Sequence, residues 1–283
     1  MSMFTLREHV ALAGSIVAAL VGAWAIPVVA QDKISPPNFS PNPSVGWIGV
    51  GGIRPVPGTV PPLAQDPKYP YVPNGTGQQP TYRIADLSNQ NLKPWVKEIM
   101  KKDNDEVLAG KIAFTSGSSC TLAGVPAFLT LGGNNNPYRF VQSAKEVRIL
   151  RDADSQVRRV YLNVPHLATP APSWYGESVG RYEGDELVID TNGLNDRTFV
   201  DNYRTPHTDQ IHVVERFKLI EGGNILQGQV TVDDPGAFNM PWSAIQRWRR
   251  VDRPLTELMC AENNADFLHY EVVPLPQASK PDF

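Results

Sequence analysis

The chain has 283 residues, 41% hydrophobic and 19% charged, with 29 acidic against 26 basic side chains and a formal net charge of −3. That balance carries no electrostatic footprint for nucleic acid, and no run of Lys and Arg forms a polybasic membrane-surface segment. A small-molecule ligand is the partner class left open.

Residues 1–30 read as a secretory leader. Arg7 supplies the positive end, Val10–Val29 is largely apolar, and Val28-Val29-Ala30 offers the small residues that a signal peptidase reads. Cleavage there starts the mature chain at Gln31 and predicts a periplasmic or secreted protein. The competing reading is an uncleaved anchor, because the apolar stretch approaches the ~20 residues that span a bilayer. Membrane contact is expected only in that case. Cys120 and Cys260 are the two cysteines, and in an oxidising compartment they read as one disulfide.

Residues 31–80 are dense in Pro, Gly, Asn and Gln and read as an extended, polyproline-like arm. Trp47, Ile48, Tyr69 and Tyr71 are its candidate anchors to an apolar surface. The arm is also the candidate contact for an envelope protein partner. Residues 81–283 then form the folded domain. Pro94–Leu108 is the best helix, with Pro94 suited to the first helical position and Gly110 just beyond the end. Asn104 and Asp105 interrupt its apolar spacing and place a stop as early as Lys102.

From Asn136 the pattern turns to short alternating runs: Tyr138–Ser143, Lys145–Asp152, Gln156–Asn163, Glu177–Glu183, Glu186–Thr191, Gln210–Glu221, Ile225–Asp233, Ser243–Val251 and Leu255–Cys260. Hairpin signals such as Gly184-Asp185 join most of them. Eight or nine strands without a helical crossover predict an all-β fold, an antiparallel meander closed into a calyx or a small sandwich.

Alternation assigns inward faces. In 210–221 one row is Ile211, Val213, Glu215, Phe217, Leu219, which puts a carboxylate among apolar side chains. The corresponding rows elsewhere are taken as Val157, Arg159, Tyr161 and as Val179, Arg181, Glu183. Glu215, Glu183, Arg159 and Arg181 would then share the calyx as a polar ligand anchor. The plainer alternative is a structural Arg–Glu ladder on a wet face. A register slip of one residue inverts every such assignment.

His166 and His207 each follow a proline, and His212 lies near the second. His166 or His207 is a candidate general base, with Glu215 or Asp185 assisting, and His212 a candidate ligand contact. Their spacing matches no metal motif, so neither metal nor cofactor is assigned. Trp174, Tyr175, Tyr203, Phe238, Trp242 and Trp248 form an aromatic group, with Trp174 and Tyr175 expected at the barrel mouth to stack on a ring. Asp233-Asp234-Pro235 reads as a turn whose carboxylates cap backbone amides.

The segments NPYRFVQ (136–142), QVRRVYLNVPH (156–166), SWYGESVGRYEGDELVIDTNGLN (173–195), PHTDQIHVVERF (206–217), VTVDDP (230–235) and CAEN (260–263) resemble a family of exported bacterial proteins. Tyr182 and Leu194 stand where that family usually has Trp and Phe. The resemblance implies a periplasmic or secreted, lipocalin-like antiparallel barrel. It marks His166, Trp174, Glu183, Asp185, His207, Glu215 and Asp233 as pattern positions without assigning them roles. Three functions follow as expectations: a calyx that binds a small apolar or aromatic molecule, a cofactor-free acid–base enzyme, or an accessory subunit of an envelope complex.

Overall fold

A computed structural model describes residues 36–73, 76–111, 121–128, 137–152 and 156–254. The leader, the Cys120–Cys260 disulfide, the strand expected at 255–260 and the CAEN motif lie outside the described residues. Nine strands close into one barrel in chain order. They are β1 (Val45–Pro55), β2 (Tyr138–Gln142), β3 (Glu146–Arg151), β4 (Gln156–Leu162), β5 (Glu177–Glu183), β6 (Glu186–Asn192), β7 (His212–Ile220), β8 (Ile225–Asp233) and β9 (Trp242–Asp252). One helix, α1 (Pro94–Leu108), stands between β1 and β2 in sequence.

The all-β barrel expectation holds, with one departure from a pure meander. Strands β4 and β5 pair in parallel, at Tyr161↔Val179 and Leu162↔Gly180. A parallel step needs a long return connection. Residues 163–176 supply it as irregular backbone with no helix.

The first strand is the other surprise, because it lies inside the proline-rich segment. β1 pairs with β9 from Val45↔Asp252 to Pro55↔Ala244, with a register shift between Val50 and Arg54. Gly51 sits in that shift at φ +68°, a conformation that side chains with a Cβ rarely adopt. Its glycines mark a bulge, not coil. Trp47 is buried, and its indole donates to the Phe39 carbonyl at 2.9 Å. Trp47 is thus a core residue of the barrel wall.

The helix runs its full predicted length past Lys102. Val96, Met100, Asn104 and Val107 face inward. Asn104 belongs there because its amide satisfies a neighbouring backbone. Its Nδ2 donates to the Ala85 carbonyl at 2.9 Å, and its Oδ1 accepts from the Ala85 N–H at 3.0 Å.

Two apolar clusters fill the interior. One gathers Trp47, Phe140, Ile149, Phe217 and Trp248. The other joins Val213, Val232, Trp242 and Ala244 to Val96 and Met100 of the helix. Packing in the first is tight. A Cβ at Gly228 would lie 2.7 Å from Phe217 Cε1 and 2.9 Å from Trp248 Cζ3, so not even a methyl group fits there.

Candidate functional site

Of the four residues expected to share the calyx, only Glu215 is inside. It is 0% exposed, between Val213 of one cluster and Phe217 of the other. On β4 the buried residues are Gln156, Arg158, Val160 and Leu162, so Arg159 faces solvent. On β5 Arg181 and Glu183 are exposed, while Ser178 and Gly180 are buried and Tyr182 packs on the core. Both rows are one residue out of the expected phase. Leu162 and Val160 decide β4, because burying them outweighs burying Val157 and Tyr161 beside an unpaired Arg159.

The displaced charges form the plainer alternative, a ladder across the outer face of β5, β6 and β7. Arg181 Nε donates to Glu183 Oε1 at 2.7 Å, and Arg216 Nη1 donates to Glu183 Oε2 at 2.8 Å. Arg216 also reaches Glu186 Oε2 at 3.2 Å, and Lys218 Nζ donates to Glu186 Oε1 at 3.0 Å. Hydrogen bonds from Arg216 and then Arg181 hold the Glu183 carboxyl below its ordinary range. Asp185 sits exposed at the β5–β6 turn, about 20 Å along the strands from Glu177. It assists neither histidine.

Glu215 has a different partner, Arg158. Arg158 Nη2 lies 2.6 Å from Glu215 Oε2, with both side chains 0% exposed. The guanidinium also donates to Ser178 Oγ at 3.2 Å and Thr191 Oγ1 at 2.9 Å. These groups form a polar layer inside the barrel. Beside it, Tyr175 touches both apolar clusters, bonds Gln156 through its hydroxyl, and stacks edge-on against Phe128 at 5.2 Å. Tyr175 is therefore a plug in the interior. Trp174, next to it, is only half-buried.

The histidines separate into two environments. His207 is buried, with Nδ1 donating to the Thr208 carbonyl at 2.9 Å and Nε2 accepting from Thr198 Oγ1 at 2.7 Å. Burial holds its pKa below the ordinary value, against the pull of Thr208, Asp234 and Asp196. Both ring nitrogens are committed, so His207 fastens a loop and is no general base. Asp234 completes that corner by accepting from Thr208 N, Thr208 Oγ1 and Gly236 N at 2.7, 2.6 and 2.9 Å, the capping role expected of this turn.

His166 and His212 meet on the outer face. His166 Nδ1 is 2.9 Å from Glu177 Oε2, and its Nε2 is 3.0 Å from Asp190 Oδ1. His212 Nε2 reaches the same Asp190 oxygen at 2.7 Å. Two carboxylates on one ring require both nitrogens to donate, which makes His166 an imidazolium. Burial pulls its pKa down, but the bonds to Glu177 and Asp190 outweigh that and hold it above 6.5. Burial likewise pushes Asp190 up, and the two histidines overcome it and leave the carboxyl lowered.

His166 pins the 163–176 connection to β5 and β6. A raised histidine pKa contributes stability that is complete below 6.5 and lost as pH rises through the folded value. His207, whose pKa is depressed, acts only as pH falls below 6.5. The unfolding free energy should therefore decline as pH rises from 6.5, and His166→Gln should flatten that decline. At pH 6 the substitution should destabilise by roughly 1 kcal/mol. Chemical denaturation at several pH values reads both effects, and an unchanged slope in the variant rules out the clamp.

The described residues also enclose a cleft of about 520 Å³ beside the distal half of β1. Ile53, Leu63, Tyr71, Tyr203 and Trp242 give it apolar and aromatic walls, with Gln65 as a polar member. The arm builds it by crossing the barrel end, where Val60 bridges Trp242 and Gln65 bridges Ala85. Asp201 lies at its edge, accepting from Tyr203 N at 2.8 Å and Thr205 Oγ1 at 2.7 Å, and burial raises its pKa. Burial and the neighbouring Asp201 push the Tyr203 phenol up to about 12.

No family model, curated protein or solved structure matches the chain. The site must be read from its own chemistry. Among the described residues no cluster of three His, Cys, Asp or Glu is placed to hold a metal ion, and no helix is long and apolar enough to cross a membrane. What remains is a ligand-sized apolar cleft, a buried ion pair and an exterior His–Asp–His–Glu group. Glu177, Asp190, Arg158 and Gln65 were not singled out by sequence reasoning. Asp190 interrupts an otherwise apolar strand and was the one of these with a readable signal.

Proposed function

We propose that this protein is an exported β-barrel that binds a small apolar or aromatic molecule, and that the ligand occupies the cleft beside β1. The cleft itself carries this reading. Its volume lies within the ~300–1,000 Å³ of small-molecule sites, and its aromatic and aliphatic walls suit a ring system. Export is supported by the leader-like residues 1–30 and by the resemblance to exported bacterial proteins. The barrel interior suits a ligand less well, since Trp47, Phe217 and Trp248 pack it.

A fluorescent apolar dye such as N-phenyl-1-naphthylamine should bind saturably at one site. Ile53→Arg, which sets an unpaired charge on the cleft wall, should weaken binding by roughly 10-fold or more. Val157→Arg, on the outer face of β4, should leave it unchanged. Equal affinity in wild type and Ile53→Arg would remove the cleft from consideration.

Asp190 favours a second reading, acid–base catalysis on the outer face. It holds His212 by Nε2, which leaves Nδ1 on a half-exposed ring available for a proton. An enzyme working there would lose turnover by roughly 10²-fold in His212→Ala, whereas a binder keeps its affinity for the dye.

A further inference from the structure

We infer that the cleft selects a neutral aromatic molecule that carries a hydrogen-bond acceptor for Trp242 and a donor for Gln65. This rests on the cleft being the ligand site. Two unspent polar atoms on its lining residues point to it. The Trp242 indole nitrogen is buried and has no acceptor, and the Gln65 amide oxygen is buried and has no donor.

Neither atom is idle through poor placement of its residue. Trp242 is 3% exposed, stacks edge-on against Phe238 at 6.0 Å and pairs with Val60 through the backbone. Trp47 and Trp95 both find carbonyls for their indole N–H, on Phe39 and Gly236 at 2.9 and 2.8 Å. Trp242, equally fixed, does not. Gln65 is held just as firmly. Its Nε2 donates to the Tyr69 carbonyl at 3.1 Å and to the Thr81 carbonyl at 2.7 Å. Both amide hydrogens are spent, so the amide cannot flip to hide its oxygen. A buried donor and a buried acceptor left open on one cleft are destabilising unless something pairs them.

The charge of the lining selects further. The residues around the cleft include no Lys, Arg or His, and Asp201 is its one carboxylate. A carboxylate or phosphate ligand would meet no counter-ion there. A planar ring bearing adjacent C=O and N–H groups, as in a lactam, supplies both missing partners without charge. Another occupant competes for Trp242. A crevice of about 10 Å³, bounded by Leu92, Phe238 and Trp242, has room for roughly one water. A water there would satisfy the indole and leave the cleft without polar selectivity.

Displacement of N-phenyl-1-naphthylamine from the full chain separates these cases with three probes of one shape: 2-quinolinone, 1-methyl-2-quinolinone and naphthalene. Apolar transfer alone ranks naphthalene first, because it has no polar group to desolvate. Pairing reverses that order, and 2-quinolinone should bind roughly 10-fold or more tighter than naphthalene. Blocking the N–H with methyl should remove much of the gain, and Trp242→Phe should narrow the remaining preference.

Naphthalene binding as well as the lactam overturns the inference while leaving an apolar cleft intact. So does a lactam preference untouched by Trp242→Phe, the result expected of a trapped water. Should that variant fail to fold, the three probes on wild-type protein still decide the donor and acceptor requirement. Failure of the dye itself to bind at the cleft overturns both the inference and the reading beneath it.

Discussion

Glu215→Leu should unfold at a much lower guanidinium concentration than wild type, a loss of about 3–5 kcal/mol, and adding Arg158→Met should recover most of it. Both side chains are fully buried, and their charged atoms are 2.6 Å apart. The contact is close enough for an ion pair, yet both Glu215 oxygens and Arg158 Nη1 lack an aligned hydrogen-bond partner. Such a pair offsets its own desolvation only in part. Removing the carboxylate strands a guanidinium that keeps Ser178 and Thr191 as its neutral partners. Replacing both groups with apolar side chains removes the stranded charge along with the pair. A single variant that loses less than about 1 kcal/mol would contradict this account. A double variant no better than the single would mean that the polar layer holds more than these two residues.

That polar layer shows where the sequence was readable and where it was not. Strand β7 was unambiguous, since Ile211, Val213 and Phe217 on one row can only face a core, and Glu215 follows by alternation. Strand β4 offered two rows, each with one arginine and comparable apolar content. Arg158 and Arg159 are adjacent, so a phase error of one residue exchanged a buried partner of Glu215 for an exposed neighbour. In β1, glycines that make a bulge look like coil when no partner strand is in view. Deleting residues 31–80 would therefore remove a wall of the barrel along with the arm. The cleft was legible only in fragments. Tyr71, Tyr203 and Trp242 stood out one by one, but nothing local says that residues so far apart in the chain face one space. The two proline-linked histidines looked alike, and burial separated them. His207 is sealed between Thr198 and Thr208, and His166 is clamped outside by carboxylates 11 and 24 positions away.

The barrel seam should be as sensitive as its interior, with Asp152→Ala losing about 3–5 kcal/mol. Strand β1 meets β2 at one pair, Trp47↔Tyr138, whereas it follows β9 along most of its length. Arg139 reinforces this thin join. Its Nε and Nη2 donate to Asp152 at 3.0 and 2.9 Å, its Nη1 donates to the Pro43 carbonyl at 3.0 Å, and Nη2 also reaches the Arg253 carbonyl at 3.0 Å. One guanidinium thereby ties the lead-in to β1, the end of β3 and the exit from β9. Asp152 is fully buried and is the neutralising charge, so its loss leaves Arg139 buried with carbonyls alone. Local opening should precede global unfolding. Backbone amides of Trp47 and Tyr138 should exchange faster in Asp152→Ala, while those of β7 and β8, paired over their whole length, slow only to the new global limit. Asp152→Asn, which keeps the acceptor oxygen and drops the charge, should fall between wild type and alanine. If seam and β7 amides instead accelerate equally in every variant, the barrel opens as one unit and the join at Trp47 and Tyr138 is no weaker than the rest.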